Sequence, residues 1–119
     1  MTRALRGWLP ALLWAALIFA LSSRPTLATP RIAGIDKVAH FGAYAVLGAL
    51  LSHAGIRSGV PAVPLLALGV LYGASDEWHQ SFVPGRSPDV ADWGADVLGV
   101  AAGLLLHRRW LRTRSPHGP

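Results

Sequence analysis

Most of the side chains in this sequence that could do chemistry lie in one short polar stretch. Five of the six carboxylates fall within it: Asp76, Glu77, Asp89, Asp92 and Asp96. Glu77, or His40 from an earlier segment, could serve as a general base, and Arg86 could hold an anion. Charged side chains at the ends of membrane helices are energetically costly, so their concentration next to long apolar runs indicates a functional role.

Helical spacing predicts which residues from other segments join this stretch. Residues three or four apart share a helix face, and three stripes follow this rule. They are Asp36, His40, Tyr44 and Gly48; then Gly69, Gly73, Asp76 or Glu77, and Gln80; then Asp92, Asp96, Gly99 and Gly103. Each stripe has polar residues at one end and small residues deeper in, so we expect all three to turn inward.

The stripes, together with the nearby cations Lys37 and Arg86, supply two sets of candidate residues. The predicted polar pocket consists of Asp36, Lys37, His40, Tyr44, Glu77, Gln80, Arg86, Asp92 and Asp96. The predicted helix-packing residues, whose small size lets helix backbones approach closely, are Gly48, Gly69, Gly73, Gly99 and Gly103. Arg86 lies on a short loop containing Pro and Gly, from which it can fold over the carboxylates as a bidentate partner.

Three interpretations of this pocket stay open. It could be a structural plug in which Arg86 and Lys37 neutralise carboxylates and fix the helix register. It could bind a polar or anionic headgroup, or it could be a catalytic or metal site. The sequence has no tight metal-ligand motif, no serine in a nucleophile elbow and no glycine-rich phosphate loop. We therefore predict no metal and no cofactor.

Composition places the chain in the membrane. It has 119 residues, of which 52% are hydrophobic and 14% charged, whereas a soluble domain carries about 25% charged residues. With no cysteine, disulfides, thiolate metal sites and cysteine nucleophiles are excluded. The net charge of +5 does not predict a nucleic-acid partner, because the basic residues punctuate apolar runs instead of forming a groove.

Apolar runs predict an all-α polytopic membrane protein with four transmembrane helices in a compact bundle. The expected spans are about residues 7–23, 38–56, 58–77 and 90–107, each close to the roughly 20 residues that cross a bilayer. The last apolar run, residues 97–106, covers only about 15 Å. Its helix must therefore start near residue 90, which draws Asp92 and Asp96 into the membrane end. Residues 1–107 form the predicted domain, and residues 108–119 a disordered basic tail.

The distribution of positive charge predicts both termini on the cytoplasmic side. Seven arginines then lie inside, namely Arg3, Arg6, Arg57 and the four from Arg108 to Arg114, against four outer cations. This asymmetry follows the positive-inside rule and turns the polar pocket outward. The first apolar segment also has features of a secretory signal, whose cleavage would leave three spans.

Two ordered motifs resemble the signatures of the VanZ-like family of small bacterial membrane proteins. The first is DKVAHFGAY at residues 36–44; the second comprises YG at 72–73, DE at 76–77, QSFVPGR at 80–86, Asp92 and Gly99. The resemblance covers about residues 8–106, and the namesake of the family is associated with low-level resistance to teicoplanin. The signature positions fall on Asp36, Lys37, His40, Tyr44, Glu77, Gln80, Arg86 and Asp92. Where the family commonly has Asn, this chain has Asp96, an added charge that protonation, Arg86 or a cation must compensate.

The resemblance implies a protein of the bacterial inner membrane that acts at the cell envelope without known catalysis. The protein would lie in the lipid bilayer, and its outward pocket would bind a lipid-linked envelope precursor, a glycopeptide or a partner protein. A small membrane hydrolase or transferase acting on a lipid-linked envelope substrate is the alternative. A subunit of a transporter or channel is a weaker one, since four short spans would have to form a homo-oligomer to build a pathway.

Overall fold

The computed structural model describes residues 2–24, 35–85 and 89–114, which form four α-helices and no strand. The helices are α1 (Arg3–Ser22), α2 (Ile35–Ser58), α3 (Ala62–Gln80) and α4 (Val90–Arg114). Successive helices run in opposite directions, so the start of α2, the end of α3 and the start of α4 meet at one end of the bundle. The all-α class expected from the sequence is confirmed.

Three of the four helices are long and apolar enough to cross a membrane: α1, α4 and residues 37–58 of α2. The expectation of four spans is therefore not confirmed by length and composition. Helix α3 falls short because its last five residues include Asp76, Glu77, His79 and Gln80, which lower the hydropathy of a 19-residue helix.

The last helix is longer than predicted. It continues to Arg114, so residues 108–114, expected in the disordered tail, are helical. Arginine and leucine are good helix formers, and positive side chains stabilise the negative end of the helix dipole. Residues 115–119 lie outside the described residues.

Glycines bring α4 into close contact with its neighbours. A Cβ atom at Gly48 of α2 would collide with the carbonyl of Val100, and one at Gly103 of α4 with the carbonyl of Ala45. A Cβ at Gly99 would lie 2.5 Å from the carbonyl oxygen of Phe41. Only glycine allows the backbones of α2 and α4 to lie this close.

Helix α3 also packs closely against α4 through glycines. A Cβ at Gly69 would lie 2.5 Å from Cγ1 of Val100, and one at Gly73 would lie 3.2 Å from the Cβ of Asp96. The indole nitrogen of Trp93 donates to the carbonyl of Val70 at 3.2 Å. Helix α4 is thereby held between α2 and α3, with its acidic first turns facing both.

Helix α1 lies against α2 and α3 through polar contacts at several depths. The indole of Trp8 donates to Ser58 Oγ at 3.1 Å, and that of Trp14 to the carbonyl of Ala43 at 2.8 Å. At the other end, Ser23 Oγ and His79 Nε2 are 2.8 Å apart. Large apolar side chains such as Leu13 remain exposed on the outside, as suits helices that face lipid.

A short turn fixes the pairing of α2 with α3. Gly59 has a φ of 76°, the left-handed conformation that glycine adopts at low cost. The N–H of Val60 donates to the carbonyl of Gly55 at 2.8 Å, which closes α2 with a Schellman motif. Because this turn is tight, α3 returns antiparallel to α2 and delivers its acidic end beside the start of α2.

Candidate functional site

Three helix ends converge to form a polar cluster at one end of the bundle. Its members are Lys37, His40 and Tyr44 of α2, Asp76 and Glu77 of α3, and Asp89, Asp92 and Asp96 at the start of α4. The backbone N–H of Asp89 donates to Glu77 Oε2 at 3.1 Å, so the segment entering α4 is tied to the end of α3. The cluster has three levels, which run from a solvent-accessible rim to a buried floor.

The rim of the polar cluster is an ion-pair network centred on Lys37. Its Nζ donates to Asp89 Oδ2 at 2.8 Å and lies 3.1 Å from Asp92 Oδ1. Asp89 Oδ1 also accepts from the N–H of Ala91 at 2.9 Å, which caps α4. The hydrogen bond from Lys37 stabilises the charged carboxylate and lowers the pKa of Asp89 below its ordinary value of 3.8.

The middle level pairs an imidazole with carboxylates from the neighbouring helix. His40 Nδ1 lies 2.7 Å from Asp96 Oδ1, and His40 Nε2 lies 3.9 Å from Asp92 Oδ2. Asp96 is fully buried, whereas the His40 side chain is 17% exposed. A buried carboxylate that holds one nitrogen of a histidine orients the other nitrogen for hydrogen bonding, proton transfer or metal binding.

The floor of the polar cluster is a tyrosine–carboxylate pair. Tyr44, which is 1% exposed, donates its hydroxyl to Asp76 Oδ2 at 3.0 Å. Tyr44 lies one helical turn below His40, so the partner of α2 changes from α4 at the middle level to α3 at the floor. The second oxygen of Asp76, Oδ1, is buried without a hydrogen-bond partner among the described residues.

Three side chains of the middle level could hold a metal ion. One ligand atom from each of His40, Glu77 and Asp96 lies within 4.8 Å of the others. Glu77 Oε1 and Asp96 Oδ2 are both buried and lack a hydrogen-bond partner in the described part of the chain. Together with Asp92, these carboxylates place more negative than positive charge in the described cluster.

The structure brings together most of the predicted pocket. His40, Tyr44, Glu77, Asp92, Asp96 and Lys37 all contribute to the polar cluster. Gln80 is buried in the last turn of α3. Asp36 lies in α2, and no position is described for its side chain. Arg86 lies outside the described residues, as does its predicted pairing with the carboxylates.

Two members of the polar cluster were absent from the predicted set. Because Asp76 and Glu77 are adjacent, helical spacing does not decide which of them joins the stripe, whereas the structure buries both. Asp89 belongs to the polar stretch of the sequence but lies on none of the three predicted stripes. Its position immediately before the apolar helix is typical of an N-cap residue, and that signal could have identified it.

A second, smaller polar group lies at the opposite end of the bundle. His107 Nδ1 lies 2.8 Å from Ser52 Oγ, and Arg108 Nε donates to the same oxygen at 3.3 Å. Arg108 also reaches the carbonyl of Val60 at 3.4 Å. Ser52 is fully buried, so this group ties α4 to α2 and leaves its hydroxyl out of reach of solvent.

The four helices and the buried polar cluster define a small membrane protein of the multi-helix class. The sequence model of the VanZ/LLP1 family matches residues 7–112. The chain therefore belongs to the VanZ/LLP1 family, and the expected resemblance is confirmed. Comparison with curated proteins and with solved structures gave no match.

Proposed function

We propose that this chain is a multi-pass protein of the bacterial inner membrane that acts at the cell envelope through an outward-facing polar pocket. The observation that carries this proposal is the polar cluster, in which three helices bury charged groups at one end of the bundle. Asp96 and Glu77 are 0% and 8% exposed. Ionisable groups at such positions are costly in a membrane protein and characteristically mark a functional site.

We propose α3 as the fourth span, in addition to the three helices that qualify by composition. Its 19 residues extend about 28 Å, close to the thickness of the hydrocarbon core. The polar residues that lower its hydropathy lie in its last turns, where Asp76 and Glu77 face the polar cluster. With four spans, both termini lie on the same side of the membrane.

We assign that side to the cytoplasm. Arg3 and Arg6 begin α1, Arg57 ends α2, and four arginines end α4, so seven positive side chains collect at the end of the bundle opposite the polar cluster. Lysine and arginine are retained on the cytoplasmic side during insertion. The polar cluster then faces outward, where envelope precursors and glycopeptides are found.

The charges of the cluster favour a ligand with cationic or hydrogen-bond-donating groups. Lys37 is already bound to Asp89 and Asp92, and His40 is bound to Asp96. The remaining carboxylate oxygens accept hydrogen bonds and attract positive charge. The amino, amide and hydroxyl groups of a glycopeptide or of a lipid-linked precursor satisfy that requirement, whereas an anionic headgroup would depend on Arg86.

Teicoplanin sensitivity tests the envelope role. Expression of the wild-type chain in a susceptible host should raise the minimal inhibitory concentration. The variants Glu77→Gln and Arg86→Ala should return it to the value of the empty vector at unchanged protein level. His53→Gln, which alters a histidine far from the cluster, is the matched control and should behave as wild type. Wild-type resistance in both pocket variants would exclude the pocket.

A second candidate function is a small membrane hydrolase or transferase on a lipid-linked envelope substrate. The specific observation in its favour is the 2.7 Å contact between His40 Nδ1 and Asp96 Oδ1, because a carboxylate-oriented imidazole can act as a general base. Purified protein incubated with labelled lipid-linked precursors should then form product, and His40→Gln should abolish turnover. Absence of any turnover with each of several divalent metals would contradict this candidate.

A further inference from the structure

We propose that His40, Glu77 and Asp96 bind a divalent first-row transition metal ion of the Zn²⁺ or Mn²⁺ type. The proposal rests on the proposed function only because it concerns the same pocket, for which it names a metal ion as a ligand. It goes beyond the sequence prediction, which contained no metal. Geometry, unpaired oxygens and charge each support it separately.

The geometry is close to that of a coordination sphere. The ligand atoms of the three side chains lie within 4.8 Å of one another. Two ligands of one metal with bonds of about 2.0–2.2 Å lie at most about 4.4 Å apart. Small side-chain rotations therefore suffice to place His40, Glu77 and Asp96 around a common ion, although the three residues come from three different helices.

The unpaired oxygens are the second and independent observation. Glu77 uses Oε2 to accept the N–H of Asp89, and its Oε1 is buried with no partner among the described residues. Asp96 uses Oδ1 for His40, and its Oδ2 is likewise buried and unpaired within the described ranges. A buried carboxylate oxygen without a partner is unfavourable, and a bound cation would satisfy both oxygens at once.

The surrounding charge also favours a cation. Asp76 and Asp92 lie next to the three proposed ligands, and the ammonium group of Lys37 is bound at the rim to Asp89 and Asp92. Carboxylates this crowded repel one another unless a proton or a cation lies between them. A divalent ion offsets two of these charges and stabilises the convergence of α2, α3 and α4.

The types of ligand select the class of metal. Imidazole nitrogen together with carboxylate oxygen suits zinc, manganese and iron, whereas magnesium and calcium prefer oxygen ligands alone. His40 Nδ1 lies 2.7 Å from Asp96 Oδ1, and the other imidazole nitrogen, Nε2, lies 3.9 Å from Asp92 Oδ2. Asp92 is accordingly placed to orient the ion or to contribute a further oxygen.

Metal binding to the purified full-length chain in detergent tests the proposal. After removal of metal with a chelator, the protein is titrated with Mn²⁺, and free Mn²⁺ is measured by electron paramagnetic resonance; Zn²⁺ is then added as a competitor. We expect one Mn²⁺ per chain, displaced by Zn²⁺ but not by equimolar Mg²⁺. Glu77→Gln and Asp96→Asn, which preserve side-chain size, should weaken binding at least tenfold.

A matched control separates a built site from incidental binding. His53→Gln removes a histidine outside the polar cluster and should bind Mn²⁺ as the wild type does. A wild-type chain that binds no Mn²⁺ or Zn²⁺ would overturn the proposal. Equal affinity in the wild type, Glu77→Gln and Asp96→Asn would also overturn it.

A measurement that uses no pocket variant covers the case in which those variants do not fold. Saturating Zn²⁺ should raise the Tm of the chelator-treated wild type and of His53→Gln, because a ligand that binds only the folded state stabilises it. An unchanged Tm would count against the site. Loss of teicoplanin resistance is a separate readout, so metal binding without resistance would reject the envelope role and retain the site.

Discussion

Three polar side chains of α2 take their partners from α3, from α4 or from the residue just before α4, and the partner changes with depth. Lys37 contacts Asp89 and Asp92 at the rim, His40 contacts Asp96 in the middle, and Tyr44 donates to Asp76 at the floor. A hydrogen bond to a charged and buried group contributes more than one at the surface. The floor and the middle level therefore hold the three helices together, while the rim is tuned by solvent and pH.

The rim predicts a dependence of stability on pH. The pKa of Asp89 is lowered because Lys37 donates to its carboxylate. For a group whose folded-state pKa is depressed, the stabilisation is present above the unfolded-state value and is lost as the pH falls through the folded-state value. The Tm of the wild type should therefore exceed that of Asp89→Asn at pH 6, and the difference should shrink below the ordinary pKa of 3.8.

Asparagine is a suitable replacement because it can still accept from the N–H of Ala91 and cap α4. In a Lys37→Met background, Asp89→Asn should have little effect at either pH, because the partner of the carboxylate is gone. A difference between wild type and Asp89→Asn that is the same at pH 6 and at pH 3 would show that this ion pair does not contribute. Thermal unfolding in detergent measures both.

At the scale of the elements, glycines on α2, α3 and α4 bring α4 into close contact with both of its neighbours. Gly99 and Gly103 meet the backbone of α2, while Val100 and Asp96 lie against Gly69 and Gly73 of α3. Backbone contacts cannot be relieved by a change of rotamer. The depth at which Asp92 and Asp96 meet α2 and α3 is therefore fixed by the positions of the glycines.

Replacement of Gly103 by alanine tests this arrangement. Its Cβ would collide with the carbonyl of Ala45, so α2 and α4 must separate, and we expect a loss of about 1–3 kcal/mol in the free energy of unfolding. Gly94→Ala in the same helix is the matched control, since a Cβ there has no atom within 4 Å. It should be neutral or stabilise by up to about 1 kcal/mol. Equal stabilities of the two variants would contradict the close packing of α2 and α4.

The sequence predicted which residues share a face more securely than which residues touch. Four-residue spacing placed His40, Tyr44, Asp92 and Asp96 on inward stripes, because the helix period alone determines that. It could not choose between Asp76 and its neighbour, since adjacent residues differ by about 100° around the helix and the rotation of α3 is set by packing. The pairings depend on the relative depth of three helices, which the close backbone contacts fix.

Hydropathy has a similar limit at the scale of the elements. The hydropathy of α3 is too low to indicate a transmembrane span, because its last turns carry Asp76 and Glu77 of the polar cluster. The arginines after residue 107 predicted a disordered tail, yet the helix continues to Arg114. Charged residues indicate where a helix leaves the membrane. They do not indicate where the helix ends, because arginine itself has a high helix propensity.

At the scale of the whole molecule, the two ends of the bundle differ in chemistry. One end carries the polar cluster with its buried carboxylates, and the other carries the arginines that end α4 together with Arg57. Positive side chains concentrated at one end of a membrane protein favour the cytoplasmic side for that end. We therefore propose that the polar cluster faces the outside of the cell.

Labelling of single cysteines in intact cells tests this claim most directly, because the natural chain contains no cysteine. Ser81→Cys lies beside the polar cluster, and Thr113→Cys lies at the opposite end of α4; both positions are exposed. A membrane-impermeant maleimide should label Ser81→Cys in intact cells and Thr113→Cys only after the membrane is permeabilised. Labelling of Thr113→Cys in intact cells, with Ser81→Cys protected until permeabilisation, would contradict an outward-facing pocket.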